Sequence, residues 1–459
     1  MLINSLDWAY DTFYQAKLGD KRRVNRLIKL AHSLANKLGK SIVKASSSSA
    51  EIEAAYRFVR NASFDADAIA ESGFKATADK VEHYDTLLAL EDTTSLQFPH
   101  ASVHEELGHI TSYKNARGVQ AHSILLFAPD EQHVLGLVEQ SRWARDIRKM
   151  GQRNNAVKRQ YEEKESYKWE RASKNMAERL GPEISKVISV CDRESDVIEY
   201  LKYKYENNQR FVVRSMQSRH IEEADNKLYA YGSQLQSAGT REVYIPQKGG
   251  RKARTALCDV RFASVTIKMP YSKPGQSTPL FYVSCVERGN DAGLCWHLLT
   301  TESVSSAEHA ELIITYYEKR WLVEEFHKAW KTGGTQVEKL RMHSKDNLDK
   351  MIVILAFIAV RIHQLRYLGL NKSLAEKQSC ELLMTTVEWK LLWKKREKKS
   401  LPKQVPSLRW AYLNIGKLGG WHDSKRNERV GWEALWEGWF KLQTILEGYE
   451  LAMSLDEKL

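Results

Sequence analysis

Asp92, Asp192 and Glu324 are the residues of this 459-residue sequence whose types and settings could do chemistry together. Each Asp follows an apolar run, in ALEDTT and SVCDRE, and the Glu lies in YYEKRWLVEEFHKAWKTG, Tyr316 to Gly333. Taken alone, an Asp at a strand end reads as a turn former or helix cap. Two strand-end carboxylates and one helix carboxylate can instead converge on one edge of a sheet. Hard oxygen ligands of that kind select Mg²⁺ or Mn²⁺ over zinc or copper. Two such ions, roughly 3.5–4 Å apart, activate a water or a 3′-hydroxyl and stabilise the leaving oxygen of a phosphodiester. Without metal the three charges repel, so at least one carboxyl pKa is expected to be raised.

The elements that must position these groups follow from the patterning. Leu87 to Leu90 read as a buried strand that ends at Glu91, Asp92 and two Thr. ILLFAP and HVLGLVEQ read as two more strands about a turn at Pro129–Asp130, and Val187 to Cys191 as a strand leading through an acidic turn into a helix. The charged stretch from about 140 to 178 starts as loop and continues as helix. From about 207 to 302 short β runs (FVVRS, EVYIP, DVRFASVTIKM, LFYVSCVE, WHLLTT) alternate with loops such as QKGGRKAR and YSKPGQSTP. Tyr316 to Gly333 reads as one helix, with Trp321, Leu322, Phe326 and Ala329 as its apolar residues. Steps of three, four and seven put Tyr317, Arg320, Glu324 and Lys331 on one stripe of it. His327 and Lys328 read as supporting or surface residues. Beyond Gly333 the chain is mainly helical. Its longest apolar run, Met351 to Val360, ends at Arg361, is too short to span a bilayer and reads as a buried helix, so no membrane is expected.

A net charge of +12 suits either a polyanionic partner, most often nucleic acid, or simple solubility. Near the N-terminus Leu27, Leu30, Ala31 and Leu34 form an apolar stripe ringed by Arg22, Arg23, Arg26, Lys29, Lys37 and Lys40. On charge alone that helix reads equally as a solvated face or as part of a small DNA-binding domain. The five Cys are odd in number and include no C-x-x-C pair, which fits a reduced cytoplasmic protein without disulfides or a Cys-type zinc site. No signal peptide is expected from MLINSLDWAYDTF. HEELGH spaces its two His five apart, where a helical zinc site needs four, and LGKS lacks the first glycine of a phosphate loop. Glu324-x-x-His327 lacks the second such pair that a di-iron bundle requires.

The order strand-Asp, two strands, strand-Asp, long insert, helix-Glu resembles the RNase H-like cores of DDE transposases. Tyr317, Arg320, Glu324 and Lys331 match the Y-(2)-R-(3)-E-(6)-K signature of the insertion-sequence-four family. LGDKRR, AAYRFVRN, LALEDTTSL, VCDRESD, RFVVRS, RW-(2)-EEFHKAWKTG, LGG-(2)-DSKR and ALWEGW are similar to blocks of its Tn-five-like members, from Leu18 to Trp439.

The resemblance implies an α/β fold: an RNase H-like catalytic core over 67–367 with a β-rich insertion at about 207–302. It is flanked by a helical DNA-end-binding domain at 1–66 and a helical dimerisation domain at 368–459. Asp92, Asp192 and Glu324 would be catalytic carboxylates holding two Mg²⁺, with Mn²⁺ as substitute. Tyr317, Arg320, Lys331 and Arg214 would hold DNA phosphates, Trp296 would stack a flipped base, and Trp321 would be a second aromatic beside it. Arg22, Arg23, Arg26, Lys37 and Lys40 would lie in the end-recognition domain. The implied activity is cut-and-paste transposition through a DNA hairpin, by a homodimer in a synaptic complex with transposon ends and target DNA, in the bacterial cytoplasm at the nucleoid. Three rivals make different predictions: a nuclease that cuts but never joins, a catalytically silent DNA-binding regulator, and an RNA-binding protein.

Overall fold

The computed structural model describes residues 5–111, 113, 115–150, 159–225, 227–245, 252–271, 273, 275–290, 292–423 and 429–456. Parts of the charged stretch (151–158) and of the loops QKGGRKAR (247–251) and YSKPGQSTP (272 and 274), and Ser424, Lys425 and Arg426 of LGG-(2)-DSKR, lie outside the described residues.

Ten strands form one mixed sheet: β1 (Leu87–Gln97), β2 (Gly108–His109), β3 (Arg117–Ala128), β4 (His133–Trp143), β5 (Val187–Cys191), β6 (Arg210–Arg214), β7 (Gly239–Ile245), β8 (Arg254–Ile267), β9 (Thr278–Glu287) and β10 (Cys295–Thr300). Their order is β2-β3-β1-β5-β6-β10-β9-β8-β7, with β4 also on β3. β1, β5 and β6 run parallel, and β3 and β4 pair antiparallel beside them. The expected β-rich stretch is present, and it extends this sheet: β10 pairs antiparallel with β6, and β9, β8 and β7 follow.

Five helices precede the sheet: α1 (Ser5–Phe13), α2 (Lys21–Asn36), α3 (Ile42–Ala45), α4 (Ser49–Val59) and α5 (Ala66–Ala78). Asp20 caps α2 by accepting from the Arg22 amide, and Leu27, Leu30, Ala31 and Leu34 are buried as their spacing predicts. Within the sheet region lie α6 (Lys168–Leu180), α7 (Ile198–Glu206) and α8 (Leu228–Gln234). After it come α9 (Ala307–Lys319), α10 (Trp321–Lys328), α11 (Lys345–Leu370), α12 (Lys372–Glu376), α13 (Thr386–Glu397), α14 (Leu408–Leu418) and α15 (Trp432–Asp456).

α11 is the helix about which the others pack. Phe357 meets Phe13 of α1 and Phe74 of α5 at ring distances of 5.6 and 5.7 Å. The Gln364 amide donates to the carbonyls of Val134 and Leu135 on β4, both at 2.9 Å. The apolar run does not stop at Arg361: that side chain is itself buried, its guanidinium donating to the Leu382 carbonyl, and the helix runs 26 residues. By length and composition it could cross a membrane, but its apolar stretch is largely buried against protein.

His363, fully buried on α11, packs beside Trp432 and Tyr367, and neither ring nitrogen has a hydrogen-bond partner. Burial pushes its pKa down from 6.5 to about 4. The unfolded chain therefore takes up this proton first as pH falls. The stability it contributes is present above pH 6.5 and is lost toward pH 4, at ~1.4 kcal/mol per pH unit. His363→Phe is expected to flatten the slope of urea-unfolding free energy across that window; an unchanged slope would contradict this account of the site.

Candidate active site

Leu90 on β1 pairs with Val190 on β5, so Asp92 and Asp192 stand at the same level two residues further on. Period-two alternation gives them a common face, while Glu91 turns to the opposite one and is fully buried beside His122. Asp192 ends its strand as expected, and its side chain accepts from the Glu194 amide at 2.9 Å. Asp92 does not end its strand. β1 continues to Gln97 because β3 offers partners along its whole length, down to Gly118, while the parallel ladder to β5 stops at Leu90.

Glu324 reaches this edge from a helical run that differs from the single helix expected. α9 starts at Ala307, where Ser306 caps it, and the run breaks at Arg320. There the Arg320 amide donates to the Tyr317 carbonyl and the Val323 amide to the Arg320 carbonyl, a tighter turn than the α-helix on either side. α10 then passes into a π-helical turn, Ala329–Gly333, closed by the Gly334 amide on the Ala329 carbonyl. Trp436 of α15 lies against the end of this turn at Gly333, where a Cβ would stand 2.1 Å from the indole nitrogen. Trp321, assigned to the apolar side, is 40% exposed, with the Lys328 ammonium 4.4 Å over its ring.

Arg320 is the cation of the carboxylate cluster. Its Nη2 donates to Glu324 Oε1 at 2.5 Å and its Nη1 is 4.0 Å from Asp92 Oδ1. Burial weakens its charge, but Tyr317, Glu324 and Asp92 outweigh that and raise its pKa. Burial also pushes Asp92 up, but the hydrogen bond and charge of His327 and the charge of Arg320 prevail and hold it below the usual carboxylate range. Asp192 is raised: burial leads, the Glu194 amide and Arg320 oppose it, and the charge of Asp92 adds to it. The expectation of one raised carboxyl is met at Asp192. Among the described residues, no three His, Cys, Asp or Glu side chains are already disposed to hold a metal ion.

The groups expected to hold DNA divide in two. Trp296 of β10 meets buried Tyr317 edge-on at 5.2 Å. Arg214, at the end of β6, donates to the Cys295 carbonyl beside that Trp. Lys331, on the π turn, donates to the Ser95 carbonyl of β1 at 2.7 Å. Lys331 thereby reaches the strand that carries Asp92, and Tyr317 shares the helical run of Arg320 and Glu324. Arg22, Arg23, Arg26, Lys37 and Lys40 instead lie on and after α2. There Arg22 pairs with Asp20, Arg23 donates to the Leu18 carbonyl, and Lys40 pairs with Glu447 of α15 at 2.9 Å.

Two groups act as positioning residues: His327, which reads from sequence as a supporting or surface residue, and Asp196, to which the sequence assigns no role. His327 Nδ1 lies 3.4 Å from Asp92 Oδ2, and its Nε2 is 3.4 Å from Ser123 Oγ on β3; the only sequence signal is its place one turn after Glu324. Asp196, the second Asp of VCDRESD, has a fully buried side chain. It accepts from the Met216 and Gln217 amides and Ser215 Oγ, and ion-pairs with Arg219 at 2.6 Å. It thus ties the turn bearing Asp192 to the segment following Arg214. Asp196→Asn is expected to speed amide exchange at Met216 and Gln217 about ten- to hundredfold, the worth of one charged hydrogen bond. Unchanged exchange there would contradict the tie.

Residues 5–64 match the family model described as transposase DNA-binding. The chain is also similar to a solved structure described as piggyBac transposase in a synaptic complex with hairpin DNA. That likeness has 10% sequence identity and a TM-score of 0.42, over 87% of this chain and 83% of that one.

Proposed function

We propose that the chain is a metal-dependent DDE transposase with an RNase H-like core, of the insertion-sequence-four kind and Tn-five-like. The observation that carries this reading is the placement of Asp92 and Asp192 at one level on paired strands, with Arg320 joining Asp92 to Glu324 of α10. The strand order β4-β3-β1-β5-β6, antiparallel on one side of β1 and parallel on the other, supports the core assignment. The transposase DNA-binding match at 5–64 supports DNA as partner.

The donor chemistry, carboxylate oxygens only, suits two Mg²⁺, or Mn²⁺ in their place, which Asp92, Asp192 and Glu324 would hold. When bound, such ions would activate the attacking oxygen and stabilise the leaving one at a phosphodiester. The chain's own groups hold and orient the strand. Arg320 and Arg214 present forks to phosphate, Lys331 a point charge, and Tyr317 a hydroxyl. Trp296, braced edge-on by Tyr317, offers a face to a base turned out of the stack. His327 keeps Asp92 oriented and ionised. In this reading water cuts the 3′ strand, the freed hydroxyl attacks the opposite strand to give a hairpin, the hairpin is opened, and the 3′ ends join target DNA. Two ends and one active site for each call for a homodimer.

Joining separates this reading from a nuclease. A precut end fragment, Mg²⁺ and a supercoiled target plasmid should yield covalently joined product on a denaturing gel. Cleavage activity with no joined product would overturn the transposase reading in favour of the nuclease.

A further inference from the structure

We infer that Arg320 is a resident counter-ion that keeps divalent metal out of the carboxylate cluster until a DNA phosphate draws its guanidinium away. The inference deepens the proposed function and rests on it. The guanidinium already holds the position a cation would need, hydrogen-bonded to Glu324 and facing Asp92, and its charge acts on Asp192 too. Its side chain is only 14% exposed, so water screens it little. A guanidinium engaged this way occupies a Glu324 oxygen and repels any divalent ion entering the same cluster.

Release needs no refolding. Arg320 stands at the junction of α9 and α10, and its side chain can swing while both helices keep their backbone bonds. A planar fork matches a phosphate in two hydrogen bonds at once, so phosphate competes well with one carboxylate oxygen. Lys331 donates to the Ser95 carbonyl on the strand of Asp92, and Tyr317, one turn before Arg320, is braced by Trp296; these are the neighbouring groups that would share that phosphate. Metal and DNA thereby assist each other through one side chain, and by linkage each raises the other's affinity by the same factor. The free protein then carries little metal, which curbs hydrolysis away from a bound end.

The test is Mn²⁺ binding to the full chain, read from the free-ion electron paramagnetic resonance signal. Wild type and Arg320→Gln would be titrated without DNA, with Asp192→Ala as background and circular dichroism to check folding. Arg320→Ala serves as the second variant. Because DNA phosphates bring metal ligands of their own, the DNA-free arm decides. Arg320→Gln or Arg320→Ala should bind Mn²⁺ at least about tenfold more tightly than wild type without DNA. An uncut end duplex should then tighten wild type far more than the variant. Equal or weaker DNA-free binding by the folded variants would overturn the inference while leaving the metal site standing. If no protein binds Mn²⁺ above the Asp192→Ala background, with or without DNA, the metal reading itself fails and the inference with it.

Discussion

Asp92→Asn and Glu324→Gln should each lower end cleavage at least about a thousandfold while leaving end binding within about twofold. Each swap keeps shape and removes one charge from the cluster that Arg320 now balances. A neutral amide is a poor ligand for a hard divalent ion, and the developing charge at the phosphodiester loses its clamp. The segment that matches the transposase DNA-binding model, 5–64, is remote in sequence from all three carboxylates. Folding should survive, because both side chains keep contact with solvent, at 20% and 27% exposure, and the amides are isosteric. Gel shift and cleavage on one labelled end fragment measure both quantities; cleavage retained in either variant would remove that residue from the site.

Arg366→Ala should cost about 3–5 kcal/mol of stability. Glu325 neighbours Glu324 but points the other way, into the core. Its carboxylate takes Arg366 Nη1 at 2.9 Å, with side chains 12% and 6% exposed. The guanidinium also lies 4.2 Å over the Trp432 ring at the start of α15. One cation thus joins α10, α11 and α15. Deleting it leaves Glu325 charged and unpaired inside the protein, whereas Glu325→Gln with Arg366→Met removes both charges and should recover most of the loss. Urea-unfolding of Glu325→Gln, Arg366→Met and the double measures the coupling. A single-variant loss under about 1 kcal/mol would show the pair to be no more than a surface bridge.

The features legible in the sequence are those set by short-range pattern. Leu87 to Leu90 is an uninterrupted apolar run, Val187 to Cys191 is broken only by the small Ser189, and both are buried strands. Asp192 follows its run directly and stands at the strand end. The stripe at α2 is buried because its spacing is helical. What stayed hidden depends on partners far away in the chain. β1 runs past Asp92 because β3 pairs with it to Gln97, and a polar EDTTS string looks like an ending when the partner is unknown. The π turn carrying Lys331 lies against Trp436, and the exposure of Trp321 follows the break at Arg320. Lys40 looked like a free cation, yet Glu447 meets it. Glu325 and Arg366, separated along the chain, carry no pattern linking them.

The central claim is that these three carboxylates cut DNA at the ends of a mobile element. Its most direct measurement uses the purified full chain, Mg²⁺, and a DNA fragment carrying the two ends that flank its own gene, resolved on a denaturing gel. Excised double-strand breaks with hairpin ends, absent in Asp192→Ala, are the predicted result. Specific end binding with no cleavage in Mg²⁺ or in Mn²⁺ would contradict the claim and mark the chain as a silent DNA-binding regulator.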